Sequence, residues 1–226
     1  MLLGYYFIIG ACLGSFITCL AERISSCQPI LGNQRSQCPN CHHQLRVWQL
    51  IPIIGIVAQR GHCYDCHASI NLRSTLIELL FGLLLATNLG PTPWQQLPLI
   101  MGYVVLLFNS LTDYLTFNIY PATLIIPGIL GYWQSPPRFD SNTLILVTLL
   151  LGLYSLARFT HQFGLGDVDV LLMISLMAPA PTIISSLMLA SFAALLVSII
   201  TTVRRLPFVP FISWGFIMIT QLSLAY

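Results

Sequence analysis

Two aspartates stand at the edges of long apolar runs in a chain where only 7% of residues are charged. Asp113 ends the run that begins at Leu99, and Asp167 follows Phe163-Gly164-Leu165-Gly166 at the mouth of another. An ionised carboxylate at membrane depth is costly, so each is a candidate functional group with the other as its partner. Two carboxyls about 3 Å apart share one proton. One can then take a proton from water while the other donates to a carbonyl oxygen, which is the minimal equipment of an aspartic protease. Gly164 and Gly166 would let the backbone bend and approach another helix or a substrate. Simpler readings exist: Asp167 as a helix N-terminal residue, and Asp113 as a boundary residue facing headgroups. Asp169, two residues further on, should point away from Asp167 as a solvated or supporting carboxylate. No Gly-x-Ser-x-Gly or His-Glu-x-x-His pattern competes, and the lone His161 reads as a boundary residue.

A second constellation is Cys38-Pro-Asn-Cys41 and Cys63-Tyr-Asp-Cys66, with 21 residues between the pairs. Paired Cys-x-x-Cys knuckles at this separation point to a four-thiolate structural zinc site formed by Cys38, Cys41, Cys63 and Cys66. The polar stretch 22–74 that carries them has too little core to fold alone, so a metal staple is expected. Disulfides or a redox pair are the alternatives; a cytoplasmic position argues against the first, and no thioredoxin-like context surrounds either pair. His42, His43, His62 and His67 read as solvated neighbours of the thiols. Cys12 and Cys19 fall within the first apolar run and behave as small apolar residues, and Cys27 is unassigned.

The elements that must position these groups follow from composition. The chain has 226 residues, 56% of them hydrophobic, and a mean hydropathy of +0.82. That is too apolar for a soluble core, and predicts an all-α polytopic membrane protein. Eight transmembrane helices are expected, at 2–21, 75–90, 97–113, 119–133, 143–159, 168–184, 187–203 and 208–224. The small cytoplasmic zinc-binding insert falls between the first and second, giving three regions: 1–21, 22–74 and 75–226. The first run lacks a basic start and a small-x-small site, so it reads as a retained helix with its N-terminus outside. All nine basic residues are arginines. Alternating the spans puts Arg23, Arg35, Arg46, Arg60, Arg73, Arg158, Arg204 and Arg205 in the cytoplasm and only Arg138 outside, beside Asp140. The same alternation brings Asp113 and Asp167 to the cytoplasmic ends of their helices. The net charge of +2 thus reports topology, and no nucleic-acid partner is implied.

With these residues in view, the chain resembles the prepilin peptidases, the leader peptidases and N-methyltransferases of type IV pilus, type II secretion and competence systems. Gly10-x-x-x-Gly14-Ser15-Phe16, Cys38-Pro-x-Cys41, Leu50-Ile-Pro52, Arg60-Gly61-x-Cys63-x-x-Cys66, Ile70 and Glu78 follow the family's order. Ser110-Leu-Thr-Asp113 and Gly164-Leu-Gly166-Asp167 match the segments that carry its catalytic aspartates. The resemblance implies cleavage of prepilin or pseudopilin precursors after a short basic leader, at the cytoplasmic face of the bacterial cell membrane. The substrate's apolar helix would stay in the lipid bilayer. It also implies methylation of the new N-terminal amine from S-adenosylmethionine, with Gly61 and Glu78 as candidate cofactor-binding residues. No glycine-rich nucleotide loop is visible. The chain departs from the family where Tyr120 holds a usual proline, where Asp169 holds a common lysine, and where Ser74-Thr75 replaces Tyr-Pro. An ion- or proton-coupled transporter with a zinc-bound regulatory insert is the alternative from another class.

Overall fold

The computed structural model describes residues 2–30, 35–88, 93–136, 140–160, 164–201 and 205–225. Arg138, His161 and Arg204, used in the readings above, lie outside them. Among the described residues the structure is helical, with only the isolated bridges Gln37–Gln44 and His62–Ser69 in extended pairing. The chain forms two compact units, Met1–Leu89 and Gly90–Tyr226.

In the first unit α1 (Leu2–Ser25) packs along α3 (Arg73–Thr87), and the short α2 (Ile54–Ala58) lies in the segment that joins them. Small residues set the close approach of α1 and α3. A Cβ on Gly10 would stand 2.7 Å from the Phe81 carbonyl oxygen, and one on Gly14 would stand 3.2 Å from the Phe81 Cβ. Apolar helices without a hydrophobic driving force between them associate through this kind of backbone proximity. The segment after the insert therefore packs with the first helix, within one unit.

The second unit contains α4 (Pro93–Thr116), α5 (Pro121–Gln134), α6 (Ser141–Thr160), α7 (Leu165–Ser175), α8 (Ala180–Thr201) and α9 (Val209–Ala225). Helices α4 and α9 are antiparallel, stitched by Ser110 Oγ donating to Ser213 Oγ at 2.7 Å and by a 2.6 Å Tyr103–Thr220 hydroxyl pair. Buried Tyr103 and Phe216 meet edge to face between them. Helices α5 and α7 run in parallel: Gly166 faces Ile119 just before α5, and Gly131, near the end of α5, faces Met177 just after α7.

Eight helices of eleven or more residues match the expected number. Four of them, Leu2–Ser25, Gln95–Thr116, Ser141–Phe159 and Ala180–Thr201, are long and apolar enough to cross a membrane. One expected boundary is corrected. The segment 168–184 is not one helix, because α7 ends at Ser175 and α8 begins at Ala180. Pro179 and Pro181 explain the break: each lacks a backbone N–H, so each is accommodated only beside or within the first turn of a new helix. Ser185 and Ser186, taken as the break, lie inside α8, where Ser186 Oγ donates to the Thr182 carbonyl. At about 1.5 Å per residue α7 is only about 16 Å long.

Candidate active site and metal cluster

The four cysteines predicted as ligands come together. Their sulfurs all lie within 4.8 Å of one another, with Cys38–Cys66 at 3.8 Å and Cys41–Cys63 at 4.0 Å. Four thiolates around one tetrahedral ion at about 2.3 Å would stand roughly 3.8 Å apart, so the donor set fits zinc. Each knuckle is the same local turn, repeated 25 positions later. In the first, the Cys38 N–H donates to the His43 carbonyl and the His42 N–H to the Cys38 carbonyl. In the second, Cys63 bonds Ala68 and His67 bonds Cys63 in the same way. Both turns close through a residue with positive φ, His42 at 57° and His67 at 56°. Those two histidines therefore serve the turn, and the ligand atoms are sulfur. Backbone amides of Cys41 and Asn40 lower the Cys38 thiol, and the Ala68 amide pulls Cys66 down to about 6. Amides aimed at sulfur favour thiolate, the form that binds metal. Around the cluster Arg46 pairs with Asp65 at 3.6 Å and lies over the Tyr64 ring, which packs on Trp48.

Gly61 and Glu78 are not brought together around one cavity. Gly61 takes φ +76° at the end of α2, where its N–H reaches the Ile56 carbonyl and its own carbonyl accepts from Ile70. Its role is a left-handed helix stop. Glu78 is buried and accepts the Ile53 N–H at 2.9 Å. Ile53 has φ +63°, a costly conformation for a β-branched residue. Glu78 thus clasps a strained turn of the insert to α3. It also lines a cavity of about 220 Å³ with Ser15, Gln49 and Gln59.

The aspartates occupy the second unit. Asp113 lies in the last turn of α4 and is 5% exposed; Asp167 lies in the first turn of α7 and is 9% exposed. The Asp113 Oδ2 accepts the N–H of Val209, the first residue of α9, at 3.1 Å. Three helix ends therefore meet at one end of the unit, and the two carboxylates are within electrostatic range of each other. The local sequence explains how. A Cβ on Gly164 would sit 2.9 Å from the Asp167 Oδ2, so the bare glycine leaves room for the carboxylate to fold back over the start of α7. A Cβ on Gly166 would sit 2.5 Å from the Ile119 Cδ1, so that glycine lets the α4–α5 turn press against α7.

One positioning residue was not singled out from sequence. Asn109 is fully buried, accepts the Tyr120 N–H at 2.9 Å and donates to Thr123 Oγ1 at 2.9 Å. It pins the turn that carries Ile119. The signal available was a lone amide inside an apolar run, which is costly unless partnered. Asp169 is half-buried on the side of α7 that faces α5, away from the pair.

Apolar helices, a four-cysteine cluster and two buried aspartates at the ends of helices define a membrane protein of peptidase type. Residues 8–89, nearly the whole first unit, match the family described as the bacterial peptidase A24 N-terminal domain. A prepilin leader peptidase/N-methyltransferase of Myxococcus xanthus is 33% identical over 132 residues, covering 56% of this chain and 38% of that protein. Another from Burkholderia pseudomallei is 28% identical over 216 residues, covering 87% of this chain and 68% of its own. A type 4 prepilin-like proteins leader peptide-processing enzyme of Escherichia coli is 26% identical over 201 residues, 82% of this chain and 74% of that one. No solved structure matches. The chain belongs to the prepilin peptidase family.

Proposed function

We propose that the chain is an aspartic endopeptidase that removes the leader of type IV prepilin-like precursors, with Asp113 and Asp167 as its catalytic pair. The observation that carries this reading is the convergence of the two buried carboxylates at one end of the second unit, in a chain of this family. In the reaction one carboxylate takes a proton from water, which attacks the scissile carbonyl carbon, and the protonated partner donates to its oxygen. The Val209 N–H holds Asp113 in place, and Gly164 leaves Asp167 free to face it.

The cytoplasmic placement of the site follows the arginines. Arg158 ends α6 just before Asp167, and Arg205 precedes α9, whose first amide binds Asp113. Positive charge beside the aspartates supports an inner-face site in a bacterial cell membrane, with the N-terminus of α1 outside. The insert 22–74 takes a structural zinc through Cys38, Cys41, Cys63 and Cys66, and 75–226 carries the peptidase chemistry. N-methylation of the new amine from S-adenosylmethionine belongs to the same reading, with Glu78 at the 220 Å³ cavity as the better placed of the two cofactor candidates. The transporter alternative gains no support, since the aspartates stand at helix ends and the relatives named above are processing enzymes.

The test is incubation of the purified chain with a prepilin-like precursor and a labelled methyl donor, read by product mass. Wild type should release the leader, and Asp113→Asn and Asp167→Asn should not, although both accumulate in membranes. Normal processing by either variant would remove that aspartate from the mechanism.

A further inference from the structure

Between α5 and α7 the second unit has an open groove of about 490 Å³, walled by Leu124, Ile125, Gly128, Met173 and Leu176. Its lips are apolar and exposed, Ile125 on one side and Leu172 on the other. One charged group lines it, Asp169. Among the described residues this carboxylate has no hydrogen-bond or ion-pair partner. It lies on the stripe of α7 that faces α5, where Gly166 meets Ile119 and Met173 and Leu176 meet Gly128. The groove therefore starts beside the aspartate pair, about 3 Å along the helix axis from Asp167, and runs away from it along α7.

An uncompensated carboxylate beside apolar walls is unfavourable, and an occupant that supplies the opposite charge relieves it. The walls suit an apolar helix, and the charge suits a lysine or arginine on it. The resemblance noted from the sequence sharpens this, because the family commonly has a lysine where this chain has Asp169. The charge in the groove is reversed here, and specificity is often set by the repulsion such a group imposes on the wrong partner.

We propose that this groove seats the precursor's apolar helix and that Asp169 pairs with a lysine or arginine in the first two turns after the scissile bond, excluding precursors with an acidic residue there. This rests on the peptidase reading above. The experiment uses the full chain and three precursors that differ only at that position, carrying Lys, Gln or Glu, with kcat/KM measured for each. Wild type should prefer Lys over Glu by about tenfold or more, the scale of a close charge pair against a like-charge clash. Asp169→Lys should reverse the order and Asp169→Asn should flatten it, both keeping activity on the Gln precursor. Equal rates on all three precursors with wild type would overturn the groove assignment and leave the peptidase standing. An unchanged preference in Asp169→Asn would overturn it too, which covers the case where the lysine variant does not fold. If wild type cleaves none of the three, the peptidase reading itself falls.

Discussion

The cysteine cluster and the aspartate site each join two distant stretches of chain, but they are built in different ways. Each cysteine knuckle is complete within six residues, its sulfurs aimed by local turns with a left-handed histidine. Only the meeting of two finished knuckles is long-range. The aspartates have no such local scaffold. Asp113 depends on an amide 96 positions away, and Asp167 is set by glycines whose bareness matters only because Ile119 and its own carboxylate come close. A metal site can be assembled from autonomous parts, whereas a proton-sharing pair at helix ends inherits its geometry from the whole bundle. Substitutions distant from the chemistry should therefore hurt the second site more than the first.

Four substitutions probe that contrast, in decreasing size of effect. Asp167→Asn keeps the shape of the side chain and removes its acid, and should lower precursor cleavage by about 10³-fold while zinc content stays unchanged by elemental analysis. Cys38→Ser should lose the bound zinc and loosen the insert, seen as faster proteolysis between α1 and α3; a full zinc complement would contradict the four-thiolate assignment. Gly166→Val forces a branched side chain against Ile119 and should destabilise the protein by about 1–3 kcal/mol, read as a lower unfolding midpoint, with cleavage reduced further than stability alone explains. Glu78→Leu leaves the Ile53 N–H without its acceptor and should cost about 1–3 kcal/mol, toward the lower end because part of that turn can rehydrate. If Gly166→Val spares cleavage, the claim that the aspartate site depends on distant packing is wrong.

The same contrast governs what could be read from the sequence. The cysteine spacing was legible because its chemistry is local, and the number of major helices because apolar length is a sum over neighbours. The boundary between α7 and α8 was misplaced at Ser185–Ser186 because hydropathy does not register that Pro179 and Pro181 lack amide donors. The packing of α3 against α1 was not legible, since Gly10, Gly14 and Gly82 reveal their purpose only when two backbones meet. Asn109 and the Val209 amide escaped notice for a related reason: a hydrogen-bond partner 11 or 96 positions away leaves no periodic trace. Asp169 was rightly turned away from Asp167, but the groove it faces belongs to α5 as much as to α7.

The central claim, that Asp113 and Asp167 work as one catalytic unit, is tested most directly by comparing the single variants Asp113→Asn and Asp167→Asn with the double variant in precursor cleavage. Groups that act together are strongly non-additive, so the double variant should cleave no more slowly than either single one. Losses that multiply would mean that the two carboxylates act independently, and would contradict the shared site.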